Sequence, residues 1–405
     1  MSLVKSSDKK TDLKPFPIAG AECKAPHFRV LHVYKDYYPP VFGGMEKHIN
    51  ELSEKLSSRG IRCSVVVSNT APRSETCRDK NVTITKVPEF GRIQSAPINP
   101  NFCLILRKIS RHADILHFHF PNPTAELSMI FSRIKKPYII TYHSDIERQK
   151  TLRFFYRPFM HRFLRKARRI IASSPNYIKT SKVLSQYKEK CVVIPHGIDL
   201  PYSESFLSSE KAVAGIKQCF GKRLVLFVGR LRYYKGLEYL IQAMQHVDAS
   251  LLVVGEGEPV ESHAKRLTRK LALQNKIKFL GTVDDVEKEI LFSACDLLVL
   301  PSIYRSEAFG IVLLEAMAHG KPVVSTELGT GTSYVNAHRE SGLVVPPKNP
   351  LKLAEAINSI LNDDKLKETL GCNAKKRVER YFSMDRMIEQ VIDLYLEILS
   401  EAGTR

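Results

Sequence analysis

The chain contains no run of 18 or more apolar residues, so it offers no helix that could span a bilayer. Its N-terminus also lacks the apolar core of a secretory signal, and the expected location is the cytosol. Eight cysteines are present, but none stands in CxxC or zinc-ligand spacing. Cys63, Cys191 and Cys295 fall in or beside apolar runs, where a reduced, buried thiol is the simplest reading. Acid is also short. Against 62 Lys and Arg stand 42 Asp and Glu, a formal charge of +20, which points to anionic partners: nucleotides, phospholipid head groups, lipid-linked phosphates or nucleic acid. The positive charges are spread over both halves with no RRM, KH or helix-turn-helix pattern, which argues against a nucleic-acid partner.

What is present fits a folded protein. Hydrophobic residues make up 43% of the 405 positions and charged residues 26%. That length suits two domains of roughly 180 residues each, hence a cleft between them. Residues 1–26 are polar and aperiodic and read as a tail. Thereafter short β-branched runs alternate with amphipathic stretches, the pattern of βαβ units around a parallel sheet. The expected strands are 29–34, 63–68, 115–118, 138–142, 170–172 and 191–194. A strandless segment at 196–221 follows, and then come 224–228, 251–254, 277–280, 297–300, 323–325 and 343–345. The fold class is therefore α/β, with two facing Rossmann-like domains at 27–200 and 201–380. A last helical stretch, 381–405, is placed to cross back to the first domain. Ligands of such sheets bind at the strand C-termini.

Several loops there carry chemistry. Gly43 and Gly44 follow the first strand and open a helix, where bare backbone and free N–H groups can approach a ligand. The third strand ends in Ile115-Leu116-His117-Phe118-His119. Period-2 geometry sets both histidines on one face, His119 nearer the cleft and suited to a sugar hydroxyl, His117 suited to the core. No Cys, Asp or Glu partner stands at a ligand interval from them, so no metal is expected. His143 ends the next strand and is a weaker candidate of the same kind. Residues 148–169 hold nine Arg or Lys, no acid and five aromatics. This mixture suits an anionic membrane surface as well as a helix with one buried face, and Pro158 argues against a single unbroken helix.

The second half is more specific. Val228-Gly229-Arg230-Leu231-Arg232-Tyr233-Tyr234-Lys235-Gly236 sets two cations, Arg230 and Lys235, at a strand end. Cations aimed at a departing diphosphate are the electrostatic device that glycosyl–phosphate cleavage needs. Loops at Gly255 and at Gly281 to Val283 can bracket a nucleobase with exposed backbone groups. Seven residues separate Glu307 from Glu315 in the stretch 301–320. Glu307 lies in a loop placed for sugar hydroxyls. Phe309, Gly310, Ile311 and Val312 open a helix whose amides can cradle a phosphate. Glu315 sits within that apolar helix, where an unpaired carboxylate is costly and a ribose diol would satisfy it.

Taken together, the GG loop, the HxH strand end, Pro195-His196-Gly197-Ile198-Asp199, the GR–KG loop and the E–x7–E stretch resemble glycosyltransferase family 4 over residues 29–382. The resemblance implies the two-domain GT-B fold and a retaining transfer from a nucleotide-diphosphate sugar, GDP- or UDP-linked, without a metal or other cofactor. By the same resemblance Arg230 and Lys235 hold the pyrophosphate, Glu315 the ribose, Glu307 the donor sugar, and His119 the sugar near its reacting carbon. Residues 326–336 are similar to bacterial mannosyl- and rhamnosyl-transferases of surface polysaccharide assembly, which favours mannose. That implies a glycan or lipid-linked acceptor and a peripheral position on the inner membrane face. His196 departs from the Asn that many relatives carry, so no role transfers to it. Two other readings are a sugar-nucleotide epimerase of the same fold and a basic nucleic-acid-binding protein.

Overall fold

The computed structural model describes residues 28–38, 44–93, 96–146, 150–200 and 209–403, with only the backbone course of 150–155 and 209. The expected tail, Gly43 and the start of the basic-aromatic segment lie outside the described residues.

Sixteen strands are defined among them. Those of the first half are β1 (Arg29–Val33), β2 (Arg62–Asn69), β3 (Glu75–Asp79), β4 (Val82–Pro88), β5 (Arg92–Ile93), β6 (Ala96–Pro97), β7 (Ile115–Phe120), β8 (Tyr138–Tyr142), β9 (Ile170–Ala172) and β10 (Cys191–Val193). The second half holds β11 (Leu224–Val228), β12 (Ser250–Val254), β13 (Ile277–Gly281), β14 (Leu297–Leu300), β15 (Val323–Thr326) and β16 (Gly342–Val345). The first sheet runs β10-β9-β8-β7-β1-β2-β4-β3 and the second β13-β12-β11-β14-β15-β16. Every pairing is parallel except β3 with β4 and the small β5–β6 hairpin. All twelve expected strands are present. The sequence reading missed β3 to β6, for a visible reason: β3 is exposed over most of its length and has no apolar face to betray it.

These are two doubly wound Rossmann-like sheets, each reversing its winding once, between β1 and β7 and between β11 and β14. A crevice at such a switch point is where loops from both directions splay apart. The GG loop follows β1 and the HxH pair ends β7; the GR–KG loop follows β11 and the Glu307 loop follows β14. Both chemistries thus stand at the switch points.

The chain passes between the halves twice, and the passes run side by side. Ile198 bridges Ser383, with Ile198 N donating to Phe382 O and Met384 N to Ile198 O, both at 2.9 Å. A side chain at Gly197 would come within 2.5 Å of Ser383 O, so only glycine lets the passes touch. The final helix, Met384–Gly403, then packs Met387, Ile388, Val391, Leu394, Tyr395 and Ile398 into the core of the first half.

One expectation fails. A single helix spans Lys150–Lys166 straight through Pro158. Proline forfeits about 3 kcal/mol in a helix interior. Tyr156, Met160, Phe163 and Leu164 are all buried, and each contributes on the order of 2 kcal/mol, which outweighs that loss. Tyr156 and Phe163 are therefore core residues.

Candidate active site

In the second half β11 ends at Val228 and the chain turns at Gly229 with φ of +141°. A Cβ there would meet Lys235 Cε at 3.2 Å, so the lysine stem lies directly over the bare backbone. Lys235 Nζ donates to Glu307 Oε2 at 2.8 Å, and Ser302 Oγ reaches the same oxygen at 3.3 Å. Each side chain of the ion pair is 12% exposed. Burial alone would lower the Lys235 pKa, but the Glu307 carboxylate, Tyr234 and Glu315 reverse that and raise it, so the ammonium stays charged. Arg230, on the same loop, is exposed.

The helix Ile311–Ala318 begins at Gly310, whose φ of +82° and whose 2.9 Å Cβ approach to Leu300 admit no other residue without strain. Its leading amides at Ile311 and Val312 carry the partial positive charge of a helix N-terminus. Opposite stands the start of the helix Gly44–Ser58: a Cβ on Gly44 would lie 3.9 Å from Ile311 Cδ1. Two helix N-termini therefore face each other across the boundary between the halves. Phe309, just before, is buried with its ring centroid 5.0 Å from that of His196.

Further into that helix, Glu315 Oε1 accepts from Lys288 Nζ at 2.9 Å. Lys288 also meets Asp285 at 3.1 Å, and Asp285 meets Lys47 of the first half at 3.3 Å. The carboxylate thus has a charged protein partner that sequence reasoning did not name. Glu51, one turn beyond Lys47, is pushed up to about 7, chiefly by burial, with Lys47 opposing and Asp199 and Glu315 adding to the rise. Gly255 and Gly281 are brought together, Gly255 N donating to Gly281 O at 2.7 Å, and Val283 packs partly into the core below.

The first half answers with histidines. Register sets His32 of β1 beside His117 of β7, and His119 beside Thr141 of β8, all on the face covered by the final helix. His117 pairs with Tyr395 OH and Thr141 Oγ1, each at 2.6 Å, and is a satisfied core residue. His119 lies deeper than its strand position suggests. It is 1% exposed, its Nε2 is 3.2 Å from His32 Nδ1 and its Nδ1 3.0 Å from His143 Nε2. Both nitrogens are taken by other imidazoles, because β7 runs on to Phe120 and His143 caps the strand end beyond it. His143 lies at the outer end of this row, its ring 5.8 Å from that of His196, which in turn stands 5.0 Å from Phe309 of the second half. Burial holds His32 and His143 down to about 3 and His48 to about 4, and His117, His119 and His196 well below the usual range. His32, His117 and His119 bring ligand nitrogens within 4.8 Å of one another, but His117 has both of its own engaged.

Contacts beyond the site tie the halves together. Arg305 meets Asp145 at 3.4 Å and donates to Thr180 Oγ1 at 2.9 Å, Thr180 reaches Gly329 O, and Asn176 reaches Ser333 at 3.4 Å.

Comparison with known proteins agrees with this architecture. Residues 216–377 match the model for glycosyl transferases group 1, and residues 42–201 that for glycosyltransferase family 4. The chain is 38% identical to the O-antigen chain mannosyltransferase C of Escherichia coli over 92% of its own length and 99% of the relative's. It is also 38% identical to a D-rhamnosyltransferase of Pseudomonas aeruginosa, covering 88% and 92%. Among solved structures, sucrose-phosphate synthase from Thermosynechococcus elongatus superposes with a TM-score of 0.76 at 22% identity, over 92% of this chain and 100% of that one. HepE of Anabaena in complex with UDP does so with 0.73 at 20%, over 91% and 100%. The chain belongs to glycosyltransferase family 4 and is a glycosyltransferase of the GT-B fold.

Proposed function

We propose that this glycosyltransferase moves a hexose, mannose in first place, from a GDP- or UDP-linked donor to a lipid-linked saccharide in surface polysaccharide assembly, with retention of anomeric configuration. The observation that carries the reading is the Lys235–Glu307 pair at 2.8 Å beside the N-terminus of the Ile311–Ala318 helix. A cation held this way costs no reorganisation when phosphate charge develops beside it. In this reading Arg230, Lys235 and the amides from Phe309 to Val312 take the diphosphate, and Glu307 and Glu315 take sugar and ribose hydroxyls. Gly43 and Gly44 close over the phosphates, while Gly255, Gly281 and Val283 flank the base. Same-face attack, with the leaving phosphate oxygen accepting the acceptor's proton, needs no metal. The names of the two 38%-identical relatives support mannose or rhamnose and an O-antigen-like acceptor.

An anionic membrane surface is the expected site of work. Among the described residues no helix is long and apolar enough to cross a membrane. A pocket of about 620 Å³ in the first half is lined by Arg133, Lys135, Lys136, Lys166 and Arg168, close to the exposed rings of Phe131 and Phe159. Cations together with exposed aromatic rings are the combination an interfacial site requires.

The reading is tested by incubating the chain with a panel of GDP- and UDP-sugars and a lipid-linked saccharide, then assigning the product's anomeric proton by NMR. Transfer from GDP-mannose with the donor's own α configuration is expected. A β product would overturn retention, and conversion to an isomeric sugar nucleotide without acceptor would replace transfer by epimerisation.

A further inference from the structure

Arg305 stands two residues before Glu307, in the loop that follows β14. Glu307 N donates to Tyr304 O at 3.1 Å, which makes Arg305 and Ser306 the central pair of a β-turn. Such a turn holds its ends within about 7 Å, so Glu307 cannot move independently of Arg305. On its far side the Glu307 carboxylate is held by Lys235 Nζ and Ser302 Oγ.

The guanidinium reaches out of its own half into a socket on the first. Its Cζ lies 5.1 Å from the centroid of the buried Tyr177 ring, Nη2 is 3.4 Å from Asp145 Oδ2, and Nη1 is 2.9 Å from Thr180 Oγ1. Nη1 also faces Leu328 O and Gly329 O of the second half, each at 3.2 Å, and Thr180 Oγ1 donates to Gly329 O. First-half residues alone shape the socket: Asp145 Oδ1 accepts from Tyr142 OH at 2.8 Å and from Ser181 Oγ at 2.6 Å, and Asp145 N donates to Tyr177 OH at 2.8 Å. Gly329, with φ of +64°, leaves the approach open, since a Cβ there would stand 3.1 Å from Thr180 Cγ2 and 3.3 Å from Arg305 Nη1. The Arg305 and Asp145 side chains are 25% and 14% exposed, against 39% and 69% for Lys47 and Asp285, another pair between the halves. A guanidinium, unlike an ammonium, can lay its face on a ring while its edge donates to several acceptors.

We propose that Arg305 is a positioning residue: by docking on Asp145, Tyr177 and Thr180 it sets the Glu307 turn against the first half, and so registers the donor sugar of the second half on an acceptor held by the first. The placement of donor and acceptor rests on the proposed function; the docking of the turn across the boundary does not. A displacement of about 1 Å at a reacting centre costs on the order of a hundredfold in rate, so a clamp two residues from Glu307 is felt in turnover. The groups assigned to the diphosphate lie outside the socket, so nucleotide affinity is not.

Hydrogen exchange of the full chain, read by mass spectrometry, tests the clamp without any substrate. Arg305→Ala should speed exchange at least about threefold both in the turn, 303–308, and in the first-half segment 174–182 that carries Tyr177 and Thr180. Faster exchange in the turn alone would overturn docking across the boundary. In the functional arm Arg305→Ala lowers kcat at least about tenfold while the Kd for GDP or UDP stays within about twofold of the parent. A kcat within about twofold of the parent, or a nucleotide Kd weakened as much as kcat falls, would overturn the positioning role. Asp145→Asn keeps an oxygen for Tyr142 and Ser181 and removes only the charge facing Arg305; where Arg305→Ala fails to fold, it should show the same paired change in exchange. The two losses should not multiply: the double variant is expected within about twofold of Arg305→Ala, and full multiplication would contradict the shared contact. A folded chain that binds neither nucleotide counts against the proposed function, and the exchange result then decides the clamp by itself.

Discussion

Where the two halves meet, the first presents imidazoles and the second presents ion pairs. The imidazoles run inward from His196, beside His48 and His143, through His119 to His32 and His117; all six are buried, and burial drives every one toward the neutral form. In the second half Lys235 pairs with Glu307 at 2.8 Å and Lys288 with Glu315 at 2.9 Å, and both lysines are held above their ordinary range by these partners. The difference follows from what each side meets. A buried charge is tolerable only when paired, whereas a neutral ring needs only a hydrogen bond. Under the proposed function, a group that faces phosphate must be charged and held by a counterion until the phosphate arrives. One that faces hydroxyls gains nothing from charge.

The largest effect is expected at the charged side: Lys235→Ala and Glu307→Ala should each lower kcat by at least about a hundredfold, with far-UV circular dichroism unchanged. A loss below about fivefold in either would mean that the pair is structural. The neutral side should respond in stability. Tyr395→Phe strips a partner from the fully buried His117 and loosens the returning helix from the first half, at a cost of about 1–3 kcal/mol in urea unfolding. Lys55→Ala, which removes an exposed pair with Asp199, should cost less than about 0.5 kcal/mol. A third and smaller effect sharpens the boundary itself. Glu51 has a folded pKa of about 7 against an ordinary 4.5. Below the lower value it is protonated in both states; above the higher one it is ionised in both, and the folded state carries the cost. Its contribution to stability therefore falls as pH rises from about 4.5 to 7. Glu51→Gln should raise Tm relative to the parent at pH 8 by about 2 °C or more and leave it nearly unchanged at pH 4.5. An equal shift at both values would contradict the raised pKa.

The same contrast explains what could be read from the chain in advance. Twelve strands declared themselves through their apolar runs, and β7, β8, β11 and β14 are buried at every position; the neighbourhood of Lys235 and Glu307 was legible because each stands in a short loop after a strand. Pairing across long separations left no local trace. Lys288 stands 27 positions from Glu315, Glu51 faces a carboxylate of the other half, and Tyr395 reaches His117 from 278 residues away. The burial of His119 was not legible because strand period gives a side chain's face but not what lies beyond the strand's end. There His143 closes over it. Pro158 misled for a related reason: a local penalty was weighed without the four buried side chains around it.

The central claim is that the second half holds the two phosphoryl groups of a nucleotide while a sugar departs. Isothermal titration of the folded chain with GDP and UDP tests it most directly. Saturable heat of binding for one of them, weakened at least about tenfold in Lys235→Ala, is the predicted result. No uptake of either nucleotide by correctly folded protein, or equal uptake by Lys235→Ala, would contradict it.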